Sequence, residues 1–227
     1  MKRLRNMAKA PGVVLAVLAA VAFSSPTRAQ DPAPLVSLQL PFLPGQARVQ
    51  PDLLPNTMLA PQSREVKRQW AQLFMLFSPL SMREVMNFMA HKIPARPGLS
   101  VDQVAAALIT RAEKRGFMLV DRYQMWRALE ARTGQTGTPK VEVISICDPT
   151  VSRDWLDYAP EMALFVPPRI ALVEDREGTI WLIMLDWDMR WLDTAGPPAF
   201  DPKLRAQGLE RRDMLEDIMR AGANGEP

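Results

Sequence analysis

The chain contains one cysteine and one histidine, Cys147 and His91. Cys147 ends an alternating strand pattern just before Asp148-Pro149, a pair typical of a helix start, and a helix N-terminus lowers the pKa of a thiol. A nucleophilic thiol also needs a base, but His91 lies in another segment. A buried, unreactive cysteine is the favoured interpretation, and Cys147 stays a thiol candidate. Hydrolase triads and zinc sites built from Cys and His are poorly supported.

Three methionines share the spacing i, i+4, i+7, namely Met82, Met86 and Met89. His91 follows two residues later, and thioether and imidazole ligands suit copper in an oxidising compartment. A buried helix face has the same spacing, and Val85 and Phe88 favour that interpretation. The group is therefore a weak copper candidate. We expect no metal and no cofactor, because the sequence contains no haem-attachment motif, dinucleotide fingerprint or P-loop.

The densest aromatic group lies between residues 181 and 191. Strand alternation places Trp181 and Trp187 on one face with Ile183 and Leu185, and Trp191 follows at helical spacing. Indole rings fill cores, but they also line ligand pockets and protein interfaces. The sequence therefore predicts a ligand or interface site made of Trp181, Trp187, Trp191, Met184 and Arg169.

The elements that must position these residues begin with helices. Residues 63–79 show an apolar face at helical spacing, and Ser81 with Glu84 predicts a capped helix that continues to about Lys92. Ser100 with Gln103 predicts another capped helix, which ends at Gly116. Further helices are predicted over 123–132, from 149 to 160, and from 201 to about 220.

Strands are predicted over 117–122, 140–147, 169–174 and 179–187. The last two are joined by a four-residue hairpin that ends in Gly178. This order predicts an α+β fold with a small, four-stranded, mainly antiparallel sheet, helices packed on one face, and additional N-terminal helices.

Residues 1–29 have a basic start, an apolar run over 12–23 and small residues at Thr27 and Ala29. This is the pattern of a secretory signal peptide. The run of about a dozen residues is shorter than the roughly 20 that cross a bilayer. Cleavage after Ala29 is therefore favoured over a retained anchor, and we expect a periplasmic or secreted protein without a stable membrane span.

Removal of the signal changes the charge. Five of the 28 basic residues and none of the 25 acidic residues lie in it, so 23 basic and 25 acidic residues remain, a net charge of −2. Because no basic patch remains, we expect no nucleic-acid binding. A single cysteine excludes an internal disulfide, so a hydrophobic core must stabilise the fold.

Several short motifs occur in order between Ser100 and Trp191: Lys114-Arg115-Gly116-Phe117, Ile144-Ser145-Ile146-Cys147-Asp148-Pro149, Ala159-Pro160-Glu161, Val166-Pro167-Pro168-Arg169-Ile170 and Glu174-Asp175-Arg176-Glu177-Gly178. In these motifs the block resembles domain-of-unknown-function family 302, as a secreted branch. The resemblance implies a compact α+β fold, a homodimer and no assigned activity. The family often has cysteine where this chain has Pro168, so half of any redox cysteine pair there would be missing.

The chain is accordingly divided into five parts: a signal peptide (1–29), a proline-rich arm or linker (30–61), an N-terminal helical extension (62–98), a family-302-like α+β domain (99–194), and a C-terminal helix and tail (195–227). We expect a periplasmic, non-enzymatic binding or accessory protein that forms a homo-oligomer and binds a periplasmic protein or a small ligand. The alternative is a periplasmic redox or copper-handling protein that uses Cys147 or the Met82, Met86, Met89 and His91 group.

Overall fold

A computed structural model of the chain describes residues 54–186, 188–192 and 202–227. The elements below all lie within residues 41–227. The predictions for the signal peptide, for most of the proline-rich arm and for Trp187 lie outside the described residues.

Seven α-helices occur in the described ranges. They are α1 (Arg64–Phe77), α2 (Met82–Phe88), α3 (Val101–Lys114), α4 (Met125–Thr133), α5 (Pro149–Tyr158), α6 (Met189–Leu192) and α7 (Pro202–Asn224), and a 3-10 turn follows α5 at Pro160–Leu164. Both predicted capping boxes are formed. The Ser81 and Ser100 hydroxyls each accept a backbone N–H three residues on, and the side chains of Glu84 and Gln103 accept in return.

The sheet has five antiparallel strands: β1 (Ala90–Pro94), β2 (Met118–Gln124), β3 (Val141–Cys147), β4 (Arg169–Glu174) and β5 (Ile180–Leu185). Their order in space is β1-β5-β4-β3-β2. The hairpin between β4 and β5 closes with Gly178, whose backbone φ of 81° favours glycine. The predicted class, α+β with an antiparallel sheet, is confirmed.

The predicted number of four strands is wrong. The sequence pattern predicts a helix that continues to about Lys92, followed by a linker, in the segment where the structure has β1. The helix α2 ends at Phe88, and Ala90–Pro94 pairs with β5, with His91 opposite Met184. A five-residue segment that ends in proline has no strong strand pattern of its own. Its conformation depends on pairing with β5, which is about 90 residues away in the sequence and is invisible to local patterns.

One face of the sheet forms the core. Ile144, Ile170 and Leu182 are fully buried there, and α3 and α7 pack over them with Leu108 and Ile218. The opposite face is half-exposed at each apolar position of the central strands, which are Val141, Val143, Ala171, Val173, Trp181 and Ile183. The sheet therefore presents one covered face and one apolar face that the described residues leave partly open.

The two core helices approach each other closely at Gly222 of α7. A Cβ at this position would lie 3.0 Å from Leu108 Cβ of α3 and 3.1 Å from Leu182 Cδ2 of β5. The missing side chain lets α7 approach both α3 and the sheet. This close approach fixes the position of α7 and therefore of Arg211 and Arg212, which lie about three turns before Gly222.

No helix in the described ranges is long and apolar enough to cross a membrane.

The end of the predicted arm contacts the folded body through its backbone. Asn56 N donates to Asp157 O at 2.5 Å, and Leu59 N donates to Glu161 Oε1 at 2.9 Å. Residues 54–61 therefore lie against α5 and the 3-10 turn.

Candidate functional site

A cavity of about 590 Å³ lies at the end of the sheet where β3 and β5 finish and β4 begins. Its size is within the range of small-molecule pockets. The walls combine both faces of the sheet with α2, α5, the 3-10 turn and α7. Most of the lining is apolar, including Met86, Val143, Trp155, Met162, Ile183 and Leu215.

Asp148 connects this cavity to the folding of α5. Its carboxylate accepts the N–H groups of Thr150 and Val151 at 3.0 and 3.4 Å, which caps the helix N-terminus. The other oxygen pairs with Arg211 of α7 at 3.1 Å. The same residue thus starts α5 and holds one cavity arginine in place.

Arg211 has one nitrogen without a partner. Its guanidinium lies 5.7 Å from the centre of the Phe117 ring, and Nη1 lies 2.9 Å from Met214 Sδ. The Nε of Arg211 is buried and donates to no atom of the described residues. A buried donor without an acceptor costs about 1–3 kcal/mol.

Arg169 is the second cavity cation with available donors. It begins β4 opposite Ser145, and its side chain is exposed at the cavity. It makes no ion pair or side-chain hydrogen bond with any described residue. A guanidinium offers five N–H donors in a planar arrangement that matches a carboxylate or phosphate.

The third cavity arginine, Arg212, is occupied by acidic partners. It donates to Asp186 at 3.0 and 3.2 Å and to Glu216 at 3.0 Å, and it is 8% exposed. His91 is close to this group. Burial lowers the pKa of His91, and the positive charge of Arg212 lowers it further against the opposing effect of Asp186.

The structure brings together some of the residues predicted for the ligand or interface site. Met184 and Arg169 both line the cavity. Trp181 lies elsewhere on β5, where its indole donates to Asp175 at 2.7 Å. Trp187 is outside the described residues, and for Trp191 only the backbone, in α6, is described.

Cys147 is half-buried at the end of β3, and its Sγ lies 3.2 Å from Ser152 Oγ. His91 is three strands away across the sheet, because β5 and β4 lie between β1 and β3. Three strand spacings amount to about 14 Å. The sheet therefore keeps the histidine out of reach of the thiol.

The copper candidates separate into two environments. Met82, Met86 and Met89 are 53%, 60% and 44% exposed, whereas His91 pairs with Met184 inside the sheet, and its Nε2 is buried without a partner. Arg212 places a positive charge close to that imidazole. Among the residues that the structure describes, no cluster of three or more His, Cys, Asp or Glu side chains could hold a metal ion.

Several cavity residues were not predicted from the sequence. Trp155 and Met162 come from helical segments whose apolar residues look like ordinary packing positions. Arg211 lies in a charged helix that resembles a solvated face. Other arginines of this helix, Arg212 and Arg220, pair with Glu216 four residues away. Arg211 has no acidic residue at that spacing, and this is a sequence signal that could have singled it out.

Comparisons with known proteins bear on the family. The model of the family described as "Domain of unknown function DUF302" matches residues 92–221. The chain belongs to this family. The matched range begins before and ends after the range 99–194 that the sequence predicted for the domain, and it includes the last three residues of β1 and most of α7. No curated protein matches the chain.

One solved structure of DUF302 is similar to this chain. It is the crystal structure of an uncharacterized conserved DUF302 protein from Bacillus stearothermophilus, with 14% sequence identity and a TM-score of 0.47. The similarity covers 59% of this chain and 97% of that chain.

Proposed function

We propose that this DUF302 protein is an exported, non-enzymatic binding protein whose cavity holds a small, mainly apolar molecule that carries one anionic group. The observation that carries the proposal is the exposed guanidinium of Arg169, which makes no ion pair or side-chain hydrogen bond with any described residue, at the mouth of an apolar cavity. A carboxylate or phosphate on the ligand would accept from Arg211, and Arg169 would bind the same group from the exposed side. The apolar part would lie against the methionine and aromatic walls.

The polar groups of the cavity support an anion rather than a cation. Arg211 pairs with Asp148 and Arg212 pairs with Asp186 and Glu216, whereas Arg169 has no acidic partner among the described residues. An anionic ligand would pair with Arg169, whereas Arg169 would repel a cationic ligand. The separation of Cys147 from His91 and the charge of Arg212 give the redox and copper alternatives no comparable support.

Export and homodimer formation belong to the same proposal. The signal-peptide pattern of residues 1–29 supports export, and an intact mass that lacks Met1–Ala29 is the expected result.

The half-exposed sheet face with Val173 and Trp181 supports a dimer seam. Trp181→Glu should then shift the protein to monomers in sedimentation velocity; a monomeric parent protein would contradict the dimer.

The binding proposal is tested by titration of the protein with dodecanoate in a calorimeter. Ala171 lines the cavity on β4, so Ala171→Phe fills the space that the chain of the ligand would occupy. Val173→Phe is the matched control, because Val173 lies on the same strand and face but outside the lining. Since Val173 also lies in the proposed dimer seam, sedimentation velocity establishes the oligomeric state of both variants. We expect the parent and the control to bind dodecanoate and the Ala171 variant to lose binding.

Two outcomes would contradict the proposal. Absence of dodecanoate binding by the parent, at concentrations below those at which the acid forms micelles, would show that the cavity does not take apolar anions. Equal binding by both variants would place the acid elsewhere on the protein. Circular dichroism and urea unfolding of each variant show whether a loss of binding reflects the cavity or the fold.

A further inference from the structure

The helix α1 has an apolar face that nothing in the described chain covers. Ser63 caps its start by accepting the N–H of Val66, and none of its 14 residues is buried. At 100° per residue the aromatic side chains share one side of the helix, where Trp70 is 45%, Phe74 55% and Phe77 67% exposed. The neighbouring side chains of Leu73 and Leu76 are also exposed.

This surface is large for an isolated helix. An aromatic side chain contributes 150–250 Å², so the three exposed rings alone leave roughly 250–400 Å² of apolar surface in water. Leu73, which adjoins these rings on the helix surface, adds to it. The largest apolar patch on a typical soluble monomer is about 300–600 Å² and is often functional. A helix of 14 residues that reaches this range is expected to bind something through that face.

The charges of α1 indicate what it binds. Residues 54–81 contain Arg64, Lys67 and Arg68 against Glu65, a net charge of +2, although residues 30–227 together carry a net charge of −2. Glu65 pairs with Arg68 at 2.9 Å. Arg64 and Lys67 make no ion pair with any described residue. Positive charge is thus concentrated on a helix with an open apolar face. At 100° per residue Arg64 lies away from the aromatic rings and Lys67 lies at the edge of the apolar face, beside Phe74.

We propose that α1 lies in the surface of a lipid bilayer that contains anionic headgroups. The Trp and Phe side chains would enter the boundary between headgroups and acyl chains, and Arg64 and Lys67 would meet the negative charges above it. A second copy of the chain would also cover the apolar face. It would leave the cations without a role, however, and place two helices of the same charge together. The charge pattern therefore favours the bilayer.

The experiment measures flotation of the full chain with vesicles made of equal parts phosphatidylethanolamine and phosphatidylglycerol. Phe74→Glu puts a charge in the apolar face, and Gln72→Glu puts the same charge on the polar side of the same helix. Both variants retain residues 1–29, so any binding by that segment is common to them. We expect Phe74→Glu to weaken binding about tenfold or more, and Gln72→Glu to weaken it much less.

The salt and lipid dependence complete the test. Binding should fall at high salt and on pure phosphatidylcholine vesicles, because headgroup charge contributes. Equal flotation of the two variants would overturn the proposal, since α1 would then not be the binding element. If neither variant floats differently from the parent but Phe74→Glu converts a dimer to a monomer in sedimentation velocity, α1 is an interface between copies and the bilayer proposal is wrong.

Discussion

The replacement Glu142→Gln tests how the sheet carries a buried charge. Glu142 is 1% exposed, and its two oxygens accept three hydrogen bonds. Arg122 Nε donates to Oε2 at 2.8 Å, and Gln124 Nε2 and Trp126 Nε1 donate to Oε1 at 2.8 and 3.2 Å. Glutamine keeps the volume but has one oxygen. Its NH₂ group would face either the guanidinium or the two neutral donors.

The magnitude follows from which donors lose their acceptor. Removal of one partner from a buried ion pair costs about 3–5 kcal/mol, but Arg122 is 27% exposed and keeps its second partner, Asp102. We therefore expect Glu142→Gln to lower the free energy of unfolding by about 2–3 kcal/mol in urea titrations. Asp102→Asn is the control. Asp102 is 65% exposed, and its loss should cost less than about 1 kcal/mol.

The pH dependence gives a second readout. Burial raises the pKa of Glu142, but the hydrogen bonds from Arg122, Trp126 and Gln124 outweigh burial and hold the pKa below its ordinary value. The stabilisation is therefore present above the unfolded pKa of about 4.3 and is lost as the pH falls through the lower folded value. The difference in the free energy of unfolding between the parent and Glu142→Gln should therefore become smaller as the pH is lowered below about 4. If Glu142→Gln costs no more than Asp102→Asn at pH 7, the reasoning is refuted.

Two further predictions concern the core and the thiol. Gly222→Ala should destabilise the protein by about 1 kcal/mol, because overpacking against Leu108 at 3.0 Å and Leu182 at 3.1 Å costs about 1–3 kcal/mol and the gain in helix propensity offsets only about 1 kcal/mol of it; a raised melting temperature would contradict this. Cys147 should react slowly with a thiol reagent in the native protein and quickly after denaturation, because it is half-buried and His91 is about 14 Å away. Rapid stoichiometric labelling at neutral pH would show that the thiol is activated by another group.

Features set by neighbouring residues could be predicted from the sequence. Both capping boxes depend on a serine and a Glu or Gln three residues later, and the structure forms both. The hairpin at Asp175–Gly178 depends on a similarly short segment, and its bonds close as expected, with Asp175 N donating to Thr179 O at 2.9 Å. In each case one turn of chain contains all the partners.

Features set by distant residues could not be predicted in the same way. The strand β1 exists because β5 offers it a free edge, and Ala90–Pro94 gives no sign of that partner. The cavity joins Arg169 of β4 with Arg211 of α7, which lie on elements with unrelated patterns. The sequence predicts both Arg169 and Met184 as site residues, and Met184 lies in the Trp-rich strand. They line the same cavity because β4 begins and the antiparallel neighbour β5 finishes at the same end of the sheet.

The most direct test of the account compares two probes that differ in one group. Dodecanoate and dodecanol share the same apolar chain, but only the acid carries a negative charge and two oxygens that can form an ion pair with Arg169 or Arg211. Hydrogen bonds to charged groups contribute about 1.5–3 kcal/mol, so the account predicts that the parent protein binds the acid at least about tenfold more tightly than the alcohol. Arg169→Gln should reduce this preference without changing the affinity for dodecanol. Equal affinity of the parent for the two probes would contradict the proposed anion-binding cavity.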